Sequence, residues 1–208
     1  MIKILLVDDH TIFRSGLRRL LSDKPEFCVS AEASSSAEAL SLVRDQPFNV
    51  VVLDINLNGR SGLDVLEGIR RTMPDLPVLM MSMYPEAQFG AATIRAGANG
   101  YLSKDTTPEA LFSAIRTVAK GQRYLNVPGV PAASDSGETM PHFRLSAREL
   151  QILQLIVSGK SLTEIGRMTF ISVKTVSTYR SRILEKLNLT SNAQLIDYAI
   201  RNGVGSVP

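Results

Sequence analysis

Through residues 1–122 the chain alternates short apolar runs with stretches whose apolar positions recur every three or four residues. The runs "IKILLVD", "CVSAEA", "NVVVLDI", "PVLMMSM" and "NGYLSK" are rich in Val, Ile, Leu or Met and have the length of strands. Between them, Phe13, Leu17, Leu20 and Leu21 share one face of a first helix, and Ala37, Leu40 and Val43 share one of a second. Leu63, Leu66 and Ile69 mark a third that Pro74 ends; residues 87–96 and 108–120 supply two more, the last opened by Thr107 as cap and Pro108 in its first turn. Five strands alternating with five helices predict a doubly wound α/β domain, a parallel sheet covered on both faces, as the uniformly apolar "VVVL" requires.

The stretch "YLNVPGVPAASDSGETMPHF" has neither period and carries Pro128, Pro131 and Pro141 with a Ser/Asp/Gly cluster. It reads as an interdomain linker over 123–143. Four helix-sized segments follow within 144–208: "LSARELQILQLIVSG", "SLTEIGRMTF", "SVKTVSTYRSRILEKLN" and "SNAQLIDYAIRNG". They predict a small all-α domain.

Composition adds little until it is divided. Hydrophobic residues are 44% and charged residues 21%, as in folding soluble chains, and the single cysteine, Cys28, excludes an internal disulfide. The opening apolar run is too short for a signal peptide core, and no run reaches a membrane span, so a cytoplasmic protein without membrane contact is expected. The net charge of +3 is unevenly placed: residues 1–125 hold 14 basic and 14 acidic side chains, whereas from Arg144 onward nine basic residues stand against four acidic ones. A basic C-terminal module points to a polyanionic partner.

In an open parallel sheet, ligands gather beyond the carboxyl ends of the strands. Asp8 and Asp9 end the first strand, Asp54 the third, Ser82 the fourth and Lys104 the fifth. Three carboxylates on one rim call for a cation, and hard oxygen donors suit Mg²⁺. A carboxylate beside such a cation can act as a nucleophile toward phosphorus, with Lys104 and Ser82 engaging phosphoryl oxygens.

The motifs "VDDH", "VVLDINL", "MSM" and "GYLSK" resemble those of response-regulator receiver domains of flavodoxin-like fold. The resemblance implies that Asp54 accepts a phosphoryl group from a histidine kinase's phosphohistidine. It also implies that Asp9 and Asp54 bind Mg²⁺ by their side chains, Asn56 by its backbone carbonyl and Asp8 through water. Tyr101 matches an aromatic switch position, expected to turn inward as Ser82 moves toward the phosphoryl group. One departure is Asn58, which stands where the family usually has proline; loss of a fixed φ there is expected to alter phosphorylation kinetics.

In "SLTEIGRMTFISVKTVSTYRSRILEKL" a helix, tight turn and second helix follow one another, with Ser172 as cap of the second. Val176, Ile183, Leu184 and Leu187 form its apolar stripe; the other face offers Lys174, Ser177, Thr178, Ser181 and Arg182, short polar groups for base edges and basic ones for phosphates. With "LSARELQIL" and "RILEKLNL", the segment resembles the LuxR-type helix-turn-helix, and the whole chain a NarL/FixJ-type response regulator. By that resemblance Ser177, Thr178 and Ser181 face the bases of double-stranded promoter DNA. Lys174, Thr175, Tyr179, Arg180, Arg182 and Lys186 meet its backbone, and the last helix, with Leu195, Ile196, Ala199 and Ile200, contributes to a homodimer. Tyr179 stands where His is common, and Gly166 and Thr169 where Ala and Leu are usual; a glycine inside a helix costs roughly 1 kcal/mol against alanine.

Three other readings arise. A magnesium-dependent phosphatase of the haloacid dehalogenase type wants an Asp two positions after its nucleophile, and Asn56 cannot transfer that proton. A second alternative is a DNA-binding regulator whose receiver is a phosphorylation-independent interaction module. A quorum-sensing-type ligand domain does not match the strand-helix alternation and the acidic rim.

Overall fold

The computed structural model describes residues 1–57, 61–125 and 141–204; Asn58 and residues 126–140 of the expected linker lie outside them. The strands are β1 (Ile2–Val7), β2 (Phe27–Ala33), β3 (Val50–Asp54), β4 (Val78–Ser82) and β5 (Gly100–Ser103). They form one parallel sheet in the order β2-β1-β3-β4-β5. This order reverses direction between β1 and β3, which places the crevice of the sheet where Asp8, Asp9 and Asp54 emerge.

Alternation along the strands divides the core in two. Ile4 and Leu6 of β1, Val50 and Val52 of β3 and Leu79 and Met81 of β4 face α1 (Thr11–Ser22) and α5 (Pro108–Val118) through Leu17, Leu21, Leu111 and Ile115. Leu5, Val7, Val51, Leu53, Val78 and Met80 point the other way, toward α2 (Ser36–Asp45), α3 (Gly62–Thr72) and α4 (Glu86–Arg95). Side chains two apart share a face, so strands apolar throughout are satisfied only by helices on both sides.

The second helix corrects the sequence reading by one position. Ser36, Ala39 and Val43 are buried, Leu40 packs partly and Ala37 is exposed, because the face through Ser36, Ala39 and Val43 is the one that packs against β2 and α3. The linker region also contains more order than its pattern shows. Tyr124 pairs beside Gly100 at the sheet edge, and Pro141–Arg144 forms a 3-10 turn that buries His142, whose Nδ1 lies 3.0 Å from the Tyr198 hydroxyl.

The C-terminal domain comprises α6 (Ala147–Val157), α7 (Leu162–Thr169), α8 (Val173–Leu187) and α9 (Asn192–Arg201). Each begins at a serine cap, and Ser146–Glu149 and Ser161–Glu164 are reciprocal capping boxes. Leu150, Leu153, Ile165, Val176, Ile183 and Leu195 close its core. The domain docks on the receiver half: the Arg95 guanidinium donates to the Phe143 and Leu145 carbonyls, and Gln154 Nε2 donates to Gln88 Oε1. Among the described residues, no helix is long and apolar enough to cross a membrane.

Candidate functional site

The rim residues expected from the sequence converge. One ligand atom each of Asp8, Asp9, His10 and Asp54 lies within 4.8 Å of the others. Lys104 Nζ stands 2.7 Å from both Asp8 Oδ2 and Asp54 Oδ2, with its side chain 6% exposed, and lies 4.6 Å from the centre of the Phe13 ring. Asp54, 2% exposed, ends β3. Burial pushes its carboxyl up to about 6, against the lowering by the Lys104 ammonium. Burial also opposes charge on Lys104, but the two carboxylates outweigh it and hold its pKa above the ordinary value.

These groups fit a divalent cation. Three carboxylates converge beside the Lys104 ammonium, and the donors are the hard oxygens that Mg²⁺ prefers. Asn56 follows Asp54 closely; its backbone N–H donates to Asp54 Oδ1 at 3.3 Å.

Ser82, fully buried at the end of β4, accepts from the Tyr84 amide at 3.4 Å. Tyr101 is itself fully buried, and its hydroxyl donates to the Tyr84 carbonyl at 2.7 Å. The side chain expected to turn inward is thus inward already, and burial holds its phenol well above the usual range.

On α8, Lys174, Thr175, Thr178, Ser181 and Arg182 are exposed on one side, while Ser177, Tyr179 and Arg180 are half-buried. The Thr178 and Ser181 hydroxyls donate to the Lys174 and Ser177 carbonyls, leaving lone pairs outward. Lys186 differs from the rest, since its ammonium is held 2.7 Å from the Glu149 carboxylate.

Residues 4–116 match the response regulator receiver domain family, and residues 144–199 match the bacterial regulatory proteins of the luxR family. Response regulator UvrY of Escherichia coli K12 is 38% identical over 216 residues, covering 98% of this chain and 96% of that protein. The chain belongs to the NarL/FixJ-type response regulators. Response regulator GacA of Pseudomonas aeruginosa is 34% identical over 209 residues, with 98% of each chain covered. RcsB from Salmonella enterica serovar Typhimurium, solved bound to promoter rprA with the phosphomimetic BeF3−, shares the fold over 96% of this chain and 98% of its own, with a TM-score of 0.67 at 21% identity.

Several contributors to this response regulator's pocket escape a reading by strand ends. His10 Nδ1 lies 3.1 Å from Asp8 and 3.0 Å from Asp9, a contact signalled only by its place in "DDH". Arg14 anchors the Asp8 carbonyl at 2.5 Å while its Nε meets Glu32 at 3.0 Å. Gly62 lets α3 start against β3: a Cβ there would sit 1.8 Å from the Asp54 carbonyl oxygen. The signal for it was "SGLD", in which Ser61 and Asp64 form a capping box around that glycine.

Proposed function

We propose that this protein works in the cytoplasm and that its Asp54 accepts a phosphoryl group from the phosphohistidine of a cognate histidine kinase, in a Mg²⁺-dependent reaction. We propose too that this modification controls how α8 engages double-stranded promoter DNA as a homodimer. The observation that carries the reading is the placement of Lys104 between Asp54 and Asp8, within the carboxylate cluster and beside Ser82.

An Asp54 carboxylate oxygen forms a bond to phosphorus as the P–N bond of the donor breaks, its electron pair leaving with the imidazole. Lys104 then turns from its carboxylate partners to a phosphoryl oxygen, and the Ser82 hydroxyl donates to another. The Mg²⁺, held by Asp9, Asp54 and the Asn56 carbonyl with Asp8 acting through water, would neutralise the charge on the incoming group. Tyr101, buried with its hydroxyl on the Tyr84 carbonyl, is the switch side chain that accompanies the Ser82 movement. Response regulators of this family are DNA-binding regulators and not classical enzymes; here Asn56 also removes the acid/base carboxyl that phosphatase turnover requires.

DNA engagement follows from α8. Ser177, Thr178 and Ser181 would meet bases, with Lys174, Thr175, Tyr179, Arg180 and Arg182 on the backbone; Lys186 reaches a phosphate only by leaving Glu149. On α9, Leu195 and Ala199 pack within the domain while Ile200 is 70% exposed, an apolar group available to a second copy.

The test is the intact mass of wild type and Asp54→Asn after acetyl phosphate, with and without Mg²⁺. A magnesium-dependent gain of one phosphoryl group confined to wild type is expected. No gain in folded wild type would leave the receiver as an interaction module.

A further inference from the structure

The face of α6 that meets the receiver carries an amide whose distant partners all belong to the phosphoacceptor loop. Gln151 is 4% exposed, a polar side chain where an isolated helical domain would present it to water. Its Nε2 donates to Asn56 Oδ1 at 3.2 Å, and its Oε1 faces the Ser61 hydroxyl at 3.3 Å. Asn56 in turn reaches Asp54 through its N–H, and Ser61 caps α3 while bonding the Ile55 carbonyl. Both partners are therefore tied by hydrogen bonds to Asp54 and Ile55.

Arg148 continues the connection. Its Nη1 donates to Gln151 Oε1 at 2.8 Å, and its Nη2 lies 3.5 Å from Asp64 Oδ2 and donates to the Thr169 carbonyl at 3.2 Å. Thr169 ends α7, immediately before the turn into α8. With the receiver docked in this way, Lys174, Thr178, Ser181 and Arg182 remain exposed. The docked receiver thus leaves that side of α8 open.

We propose that Gln151 is the positioning residue through which the DNA-binding domain senses the phosphoacceptor loop. It latches α6 to Asn56 and Ser61 in the unphosphorylated chain and loses both partners when the loop reorganises around a modified Asp54. The inference rests on the assignment of Asp54 above. Polar partners suit a reversible latch, since water replaces each lost hydrogen bond at small net cost. Linkage makes the coupling reciprocal: a latch that modification opens must also weaken binding of whatever mimics the modification.

The experiment titrates full-length wild type and Gln151→Ala with beryllofluoride and Mg²⁺, reading bound fluoride by ¹⁹F NMR, and follows amide exchange over residues 147–157. In Gln151→Ala the half-saturating beryllofluoride concentration is expected to fall about fivefold or more, at unchanged thermal unfolding. Exchange of α6 rises on beryllofluoride binding in wild type and is already raised in the variant without it. Gln151→Leu, which keeps the volume and removes the hydrogen bonds, shows the same shift. Equal beryllofluoride affinity in wild type and both variants overturns the latch alone. Absence of binding in wild type overturns the Asp54 assignment, and the latch with it.

Discussion

The Asp54 carboxyl is buried at the end of a strand, pushed up to about 6, and only partly compensated by Lys104. A carboxyl raised in the folded state binds more protons than its unfolded counterpart between about 4 and 6, so folding stability falls as pH rises through that window. The penalty is fully present at pH 7. Asp54→Asn, measured in EDTA by urea denaturation, should therefore stabilise the chain by about 1–3 kcal/mol at pH 7. The gain should vanish below pH 4, where wild-type Asp54 is protonated in both states. A variant no more stable than wild type at pH 7 would show that Lys104 compensates the charge fully.

At the level of elements, two glycines act in opposite senses to what a helix propensity scale suggests. Gly62 opens α3 in direct contact with the Asp54 carbonyl, so Gly62→Ala forces the helix off the strand end; a loss of about 1–3 kcal/mol or more in urea denaturation is expected, together with weaker Mg²⁺ binding. Gly166 lies inside α7, where alanine would ordinarily gain roughly 1 kcal/mol. A Cβ there meets the Ile171 carbonyl oxygen at 2.9 Å, in the turn that the Ile171 amide closes onto the Gly166 carbonyl. Gly166→Ala should accordingly give no stabilisation; a measured gain near 1 kcal/mol would mean that the turn yields freely. The strands, the acidic rim and the caps at Thr107 and Ser172 were legible because each depends on local period or on position at the end of an element. The phase of α2, the His142 turn and the Gly62 contact were not, since each is settled by what packs against it. The Gln151 bridge is least legible of all: its partner Asn56 is 95 residues away, and its spacing on α6 resembles a solvent-facing position.

Across the whole molecule, charge separates the tasks of the two halves. The receiver half is balanced, the excess lies from Arg144 onward, and Lys174 and Arg182 project from the open side of α8. Each phosphate contact contributes about 0.9 to the slope of log affinity against log salt, so Lys174→Ala and Arg182→Ala should each reduce that slope on duplex DNA by about one. Lys186 should behave differently although it is also a cationic side chain of α8. Burial pushes Glu149 up, but hydrogen bonds from Lys186 and Ser146 more than reverse this and hold its carboxyl below the usual range. A depressed carboxyl contributes stability above its unfolded pKa and loses it as pH falls through the folded one. Lys186→Ala strands that carboxylate in a nearly closed site, so the variant should lose about 1–3 kcal/mol at neutral pH, and progressively less in acid as Glu149 protonates. Its salt slope should stay at the wild-type value. A slope reduced by one, with stability intact, would instead place Lys186 on the DNA backbone and show that Glu149 releases it on binding.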